Sequence, residues 1–193
     1  KHIDHDMLII TVDNGTTRIN EINKLIDNGI DVIVTDHHEP KEELPKCTIV
    51  NPFASNDIDF QSLSGCGVVF QILYALYGKL NIPFVDDYLY ATTLGTIADI
   101  MPLDINNLAL CKMGMYQLNN NVPDNIKAFI KCIGLNKINS QDIAWEISPR
   151  LNACGRMNNI YLAANLFFCN DTLTAKELAL EIEEINQRRK KLT

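Results

Sequence analysis

Two groups of acidic and imidazole side chains each come directly after a predicted β-strand. They are Asp13, after the first strand, and Asp36, His37 and His38, after the second. Taken alone, Asp13 is more simply explained as a turn or helix N-cap residue, and the histidines as part of a surface turn. Their recurrence after consecutive strands favours a metal site, because carboxylates and imidazoles without a thiolate suit hard to borderline divalent cations.

The strands that would position these residues are two apolar, β-branched runs, residues 8–12 and 30–35. Between them, isoleucine and leucine recur at helical spacing over residues 19–26, and Gly29 ends the helix. A strand, a helix and a strand with short joints form a βαβ unit, whose strands lie parallel. Ligands of parallel sheets bind beyond the carboxyl ends of the strands, so both groups should lie at one edge. Residues 48–50 predict a third strand.

A third acid, Asp99, should lie in the last turn of a helix predicted over residues 86–98. A carboxylate there faces the negative pole of the helix dipole, which costs roughly 0.3–1 kcal/mol unless a cation compensates. An ordinary solvated acid at a frayed helix end is the alternative. We predict that Asp13, His37 and Asp99 meet within reach of a shared cation.

The chain after the third strand has mainly helical spacing. One helix is predicted to end before Pro102 and another to begin at Pro123, and a loop is predicted at 148–158. The last helix is expected to open with a capping box over 174–177. The predicted fold class is α/β, with a parallel sheet built from βαβ units followed by a helical lobe.

Several residues outside the strands suit contact with phosphate. Arg150, Asn152 and Arg156 lie in the predicted loop, and planar guanidinium groups match phosphate oxygens. The alternative is an arginine that pairs with acids and pins the loop. Gly65 and Gly67 would let a helix start come close to a phosphate or to the site loops. A dinucleotide-binding motif is rejected, because the third glycine and a clear preceding strand are missing.

The composition limits the class of protein. The 193 residues are 47% apolar and 21% charged, as in soluble globular proteins, and no apolar run is long enough for a membrane span. The net charge of −7 disfavours a protein that coats duplex DNA. Six cysteines without a CxxC pair disfavour a zinc cage and favour reduced thiols in a cytoplasmic location.

Four motifs together resemble the DHH phosphoesterases. They are TVDNG at 11–15, VTDHH at 34–38, GTIADIMPL at 95–103 and SPRLNACGR at 148–156. The last motif and LSGCGV at 63–68 are most similar to the single-stranded-DNA exonucleases of that family. The resemblance covers nearly the whole chain, with the motifs in the family's order.

The resemblance implies a site for two divalent cations, Mn²⁺ with Mg²⁺ as the alternative. Asp13 would bridge the two ions, and His37 and Asp99 would each bind one. Asp36 would orient His37, and His38 would contact the scissile phosphate. Two ions about 3.5–4 Å apart stabilise both the attacking and the leaving oxygen of a phosphodiester.

The implied activity is hydrolysis of phosphodiester bonds in single-stranded DNA, in the 5′ to 3′ direction. The implied setting is cytoplasmic DNA repair and recombination, beside other repair proteins. One alternative is a family member that acts on oligoribonucleotides, cyclic dinucleotides or pyrophosphate. A non-catalytic binding module is another, but such a module would not need all the acids and imidazoles that this chain keeps.

The family's first motif, Asp-x-Asp after an earlier strand, is missing from its expected place. Asp4 and Asp6 have the right spacing but lie directly upstream of the next strand. We therefore predict an N-terminally incomplete catalytic domain over 1–170, and at 171–193 the start of a helix that links to a C-terminal domain. Such a chain should fold but not cleave DNA at a useful rate, because one weakly held ion would replace the pair.

Overall fold

The computed structural model describes residues 7–55, 58–83 and 86–192. The ligand role considered for Asp4 and Asp6 lies outside these ranges. Among the described helices, none is long and apolar enough to cross a membrane.

The chain divides into two units, Lys1–Lys112 and Met113–Thr193. The division falls within the helix Ile105–Asn120. The boundary predicted after residue 170 lies inside the second unit, and the assignment of domains stays a prediction.

The first unit is built on a parallel sheet whose strands are β1 (Leu8–Val12), β2 (Asp31–Thr35) and β3 (Thr48–Val50), in that order. Helix α1 (Ile19–Asp27) joins β1 to β2, so the predicted βαβ unit and the α/β class are confirmed. The central strand, β2, is rich in β-branched residues, which suit a strand packed on both faces. Val12 pairs with Thr35, so β1 and β2 end at the same edge of the sheet.

Three helices follow in this unit: α2 (Gly65–Leu80), α3 (Leu89–Ala98) and the first part of α4 (Ile105–Asn120). Helix α2 packs against α3, β1 and β2. The core between these elements is a cluster of buried apolar side chains, Leu63, Val68, Phe70, Leu89 and Leu110. This packing fixes the start of α2 and the end of α3, where site residues are predicted.

The second unit is helical. Its elements are the last part of α4, α5 (Asp124–Cys132), α6 (Ser140–Asp142), a π-helical segment (Ile143–Ile147), α7 (Ser148–Arg156), α8 (Ile160–Phe168) and α9 (Thr172–Leu192). Helix α9 packs against α5, α7 and α8, and Ala175, Ala179 and Ile182 on it are fully buried. Helix α9 therefore contributes to the core of this unit.

Residues 148–156 are helical, so the predicted loop is wrong. Proline, asparagine and glycine in this segment favour a loop locally, but Pro149 lies in the first turn, where a missing N–H needs no acceptor. Ala153 and Cys154 are fully buried in the helix. Tertiary packing therefore outweighs the local preferences.

The start of α9 also differs from the prediction. The carboxylate of Asp171 accepts hydrogen bonds from both the N–H and the hydroxyl of Thr174, each at 2.7 Å. Aspartate is a favoured N-cap residue because its oxygen can accept from the third N–H of a helix. The predicted capping box at Thr174 is wrong, since Thr174 is the third residue of α9.

Candidate metal centre

Asp13 lies where β1 ends, and its backbone has an unusual conformation. Its N–H donates to the carbonyl oxygen of Thr35 at 3.0 Å, which continues the pairing of β1 with β2. The φ angle of Asp13 is 59°, in the left-handed region that costs a non-glycine residue about 1 kcal/mol or more. The hydroxyl of Thr11 fixes the turn by donating to the carbonyl oxygen of Asn14 at 2.6 Å. Strain that is held by surrounding hydrogen bonds is common at functional sites.

His37 lies between two of the predicted carboxylates. Its Nε2 is 3.0 Å from Oδ1 of Asp13 and 3.3 Å from Oδ2 of Asp99. The hydrogen bond to Asp13 raises the pKa of His37; burial opposes this rise, and the charges of Asp13, Asp99 and Asp36 add to it. A ring nitrogen that faces two carboxylates marks a position suited to a proton or to a metal cation. The structure thus brings Asp13, His37 and Asp99 together in the first unit.

The position of Asp99 depends on how α3 ends. Asp99 is the C-cap residue, and its N–H donates to the carbonyl oxygen of Gly95 at 3.0 Å. The next residue, Ile100, has a φ angle of 55° although it is β-branched. Glycine is usual at this point, so an isoleucine is strained here. The N–H of Met101 closes the turn by donating to the carbonyl oxygen of Thr96 at 3.1 Å.

Asp36 is buried, and four hydrogen bonds converge on its carboxylate. Oδ2 accepts from the N–H of Thr16 at 2.9 Å, and Oδ1 accepts from the N–H groups of His37 at 2.8 Å and His38 at 3.3 Å. Oδ1 also lies 2.7 Å from Nδ1 of the His38 ring. Burial raises the pKa of Asp36, but the bonds from His38, Thr16 and His37 outweigh burial and lower the pKa to about 2. Asp36 is therefore an anion at neutral pH that organises the turn after β2.

Asp36 is predicted to orient His37, but its carboxylate accepts only from the backbone N–H of His37 and holds the ring of His38 instead. The sequence cannot tell which of two adjacent histidines turns towards the acid, since this depends on side-chain rotamers. With Nδ1 held by Asp36, the half-exposed His38 ring has Nε2 left to meet a ligand. Ligand atoms of Asp13, His37 and His38 all lie within 4.8 Å of one another. His38 therefore joins the residues that could hold a metal ion.

Two buried residues of this network are not predicted as site residues. The N–H of Thr16 donates to Asp36, and Asn51 donates through Nδ2 to the Thr16 hydroxyl and to the carbonyl oxygen of His38, both at 2.9 Å. Asn51 directly follows β3, as Asp13 and Asp36 follow their strands. That repeated position is the sequence signal that could have identified it.

Gly65 and Gly67 lie in the first turn of α2. The N–H of Gly67 donates to the hydroxyl of Ser64 at 3.2 Å and so caps the helix, and a contact between Gly67 and phosphate stays a prediction. Gly65 lies against the Asp13 side chain: a Cβ added at Gly65 would come within 2.6 Å of the Cβ of Asp13. A contact between Gly65 and phosphate stays a prediction.

The three predicted phosphate ligands of α7 differ in their surroundings, all within the second unit. Arg150 is buried, and its Nε and Nη1 lie 2.6 Å from carboxylate oxygens of Glu183 and Glu146. This contradicts the phosphate role for Arg150 and matches the alternative of an arginine that pins the segment, because its guanidinium already has two acidic partners. Asn152 and Arg156 are exposed, and they are four residues apart on one helix, so they share a face. Their contact with phosphate stays a prediction.

The family model that matches this chain is the DHH family, N-terminal domain, over residues 1–96. The single-stranded-DNA-specific exonuclease RecJ of Bacillus subtilis is 37% identical over 189 residues, which cover 96% of this chain and 24% of that protein. The protein of the same name from Escherichia coli K12 is 35% identical over 202 residues, which cover 96% of this chain and 35% of that protein. The chain thus spans about a quarter to a third of the length of the curated relatives it matches.

Solved structures are similar in fold as well. The crystal structure of RecJ in complex with Mn²⁺ from Thermus thermophilus matches with a TM-score of 0.89 at 34% identity, over 96% of this chain and 28% of that chain. The crystal structure of an exonuclease RecJ bound to manganese matches with a TM-score of 0.88 at 34% identity, over 96% of this chain and 48% of that chain.

Proposed function

We propose, since this chain belongs to the DHH family, that it carries the metal centre of a Mn²⁺-dependent exonuclease that hydrolyses single-stranded DNA from its 5′ end. The observation that carries this proposal is the position of His37 Nε2, 3.0 Å and 3.3 Å from the carboxylates of Asp13 and Asp99 at one edge of a parallel sheet. The names of the similar proteins, single-stranded-DNA-specific exonucleases and manganese complexes, support it. A role in cytoplasmic DNA repair and recombination, beside other repair proteins, belongs to the same proposal.

The donor atoms fit such an ion. Asp13 and Asp99 supply carboxylate oxygens and His37 supplies an imidazole nitrogen, and Mn²⁺ accepts both types of ligand. Mg²⁺, which prefers oxygen ligands, is the alternative ion. Asp13 would bridge two ions in a complete site. A bound divalent cation would supply a nucleophilic water and neutralise charge on phosphate oxygens.

The chain's own residues would orient the substrate. Asp36 keeps its charge at neutral pH and fixes the His38 ring through Nδ1, so that Nε2 can contact a phosphate oxygen. In the second unit, Asn152 and Arg156 would bind phosphate oxygens, because a guanidinium binds oxygen anions but not cations.

Loss of the Asp13 carboxylate should weaken metal binding strongly and abolish cleavage. We expect Asp13→Asn to weaken Mn²⁺ binding, measured by calorimetric titration of this chain, by about a hundredfold or more, since a ligand matters at least as much as its supporting contacts. The rate of cleavage of 5′-labelled single-stranded DNA with Mn²⁺ is measured for two proteins. One is this chain, and the other is a protein extended to the length of its relatives. We expect the extended protein to cleave much faster than this chain and to lose cleavage with Asp13→Asn.

Two results would contradict the proposal. If Asp13→Asn in the extended protein cleaves at the parental rate, Asp13 is not a residue of the site. Cleavage of pyrophosphate or cyclic dinucleotides without cleavage of single-stranded DNA would assign the site to small substrates instead.

The affinity for Mn²⁺ should also depend on pH through His37. A metal ligand must be deprotonated, and the pKa of His37 is raised chiefly by its hydrogen bond to Asp13. Below that pKa one proton leaves for each ion bound, so affinity should rise about tenfold per pH unit and level off above it. Titrations between about pH 5.5 and 8 measure this slope, and His37→Gln, which lacks the titrating ring, should not show it. Equal slopes in both proteins would exclude His37 as the ligand that titrates.

A further inference from the structure

The first turn of α2 is in contact with the side chain of Asp13. A Cβ built on Gly65 would lie 2.6 Å from both the Cβ and the Cγ of Asp13, whereas real Cβ atoms essentially never come closer than 3.0 Å to a neighbour. Gly65 is not among the residues with a positive φ angle. Glycine is therefore required at this position by the space beside Asp13 and not by the backbone conformation.

The start of α2 has little freedom to move away from Asp13. The hydroxyl of Ser64 caps α2 and lies 3.3 Å from the hydroxyl of Thr96 on α3. A second close approach lies beside it, because a Cβ added at Gly95 would come within 2.6 Å of Sγ of Cys66. Leu63 and Val68, on either side of this turn, are buried in the core. The first turn of α2 is thus held between α3 and the Asp13 side chain.

The backbone of Asp13 has little freedom as well. Its φ angle of 59° is fixed by the bond from its N–H to the carbonyl oxygen of Thr35. Its Oδ1 lies 3.0 Å from Nε2 of His37 and is also the atom nearest to a Cβ built on Gly65. A displacement of the Asp13 side chain away from α2 would therefore change the distance from its carboxylate to His37.

We propose that Gly65 is a positioning residue: the bare backbone at the start of α2 sets the place of the Asp13 carboxylate beside His37. The inference rests on the proposed metal site and adds to it a residue that touches no ion. Any side chain at position 65 pushes the Asp13 carboxylate out of its position. The consequence is weaker metal binding in a protein that is still folded.

The test compares two glycines on the same helix. Gly65→Ala should weaken Mn²⁺ binding by about 10–100-fold, the range found when a supporting contact of a metal ligand is lost. Gly78→Ala is the matched control, because a Cβ at Gly78 meets no atom within 4 Å. It should bind Mn²⁺ as the parent does and unfold at the same or a higher temperature, since alanine is the better helix former. Mn²⁺ affinity is measured by calorimetric titration and thermal unfolding by circular dichroism.

Asp13→Gly separates positioning from a general effect on the fold. Without a side chain at position 13 the added methyl group has room, so Gly65→Ala should lower the unfolding temperature of the parent but not that of Asp13→Gly. If Gly65→Ala alone does not fold, a folded double variant still supports the inference. An equal loss of stability in both backgrounds, or an unfolded double variant, would overturn it.

The outcomes also separate this inference from the proposed function. If the parent and Gly78→Ala bind Mn²⁺ and Gly65→Ala binds it equally well, the positioning role fails while the metal site stands. If the parent binds no Mn²⁺, the metal site itself fails. In that case the dependence of stability on Asp13 still decides whether Gly65 fixes the side chain.

Discussion

Asp36→Ala should lower the free energy of unfolding by about 3 kcal/mol, because it leaves three buried or half-buried N–H groups and one imidazole without their acceptor. The lost bonds are those from Thr16, His37 and His38, at 2.7 to 3.3 Å. Asp36→Asn keeps one acceptor oxygen, so its free energy of unfolding should fall less than that of Asp36→Ala. The turn after β2 should loosen in both variants, so Mn²⁺ affinity should fall as well.

The measurement is urea unfolding followed by circular dichroism. Asp31→Ala is the matched control, because Asp31 is an exposed acid at the start of the same strand and should change stability by less than about 0.5 kcal/mol. Equal stability losses in Asp36→Ala and Asp31→Ala would contradict the network around Asp36.

The pH dependence of stability gives an independent check on Asp36. Its pKa falls from 3.8 to about 2 on folding, since the hydrogen bonds outweigh the opposing effect of burial. A carboxylate whose pKa is lower in the folded protein stabilises it fully above the unfolded value and loses that contribution as pH falls through the folded value. The contribution, on the order of 1–2 kcal/mol, should therefore disappear between about pH 4 and pH 2. Asp36→Asn should show a smaller loss over this window.

The predictable part of the site follows from strand periodicity. Apolar β-branched runs identify β1 and β2, and the rule that parallel strands share a carboxyl edge brings Asp13 near Asp36 and His37. Asp99 could be placed because a carboxylate at the C-terminal end of a helix is unfavourable unless a cation compensates its charge. These inferences use only the local pattern and the topology, which the sequence carries directly.

The parts that could not be predicted depend on rotamers and on tertiary packing. Whether Asp36 holds His37 or His38 is decided by side-chain torsions. The close approach of Gly65 to Asp13 depends on how α2 packs on β1. Residues 148–156 are helical because Ala153 and Cys154 are buried, although the local residue types favour a loop.

The backbone is strained at one proposed ligand and directly after another. Asp13 itself and Ile100, directly after Asp99, have positive φ angles of 59° and 55°. Each costs about 1–3 kcal/mol and persists only where surrounding contacts enforce it. Asp13 directly follows β1, Ile100 directly follows Asp99 at the end of α3, and the two carboxylates lie close to the same nitrogen of His37. The hydrogen bonds and the packing around these residues offset this cost.

Arg150→Ala should destabilise the second unit by about 2–3 kcal/mol and should not act as the loss of a phosphate contact. Its guanidinium is buried between Glu146 and Glu183, and truncation leaves these carboxylates without their cation. Burial raises the pKa of Glu183, but the hydrogen bonds from Gln187 and Arg150 and the charge of Arg150 outweigh it, so the pKa is lowered overall. Arg150→Lys should rescue only part of the stability, because an ammonium group cannot reproduce the two-sided contact of the planar fork.

Arg156→Ala is the matched comparison on the same helix. Arg156 is exposed, so its loss should change stability by less than about 0.5 kcal/mol. Binding of a fluorescently labelled single-stranded oligonucleotide should weaken, and the slope of log affinity against log salt should fall by about 0.7, as for one lost phosphate contact. Mn²⁺ affinity should stay unchanged, because a guanidinium is not a metal ligand.

Unfolding of the second unit is followed by circular dichroism and by the fluorescence of Trp145, the single tryptophan of the chain. If Arg150→Ala keeps full stability and lowers the salt slope as Arg156→Ala does, Arg150 is a phosphate ligand after all. If Arg156→Ala weakens Mn²⁺ binding and DNA binding equally, the exposed face of α7 has a structural role and does not bind phosphate.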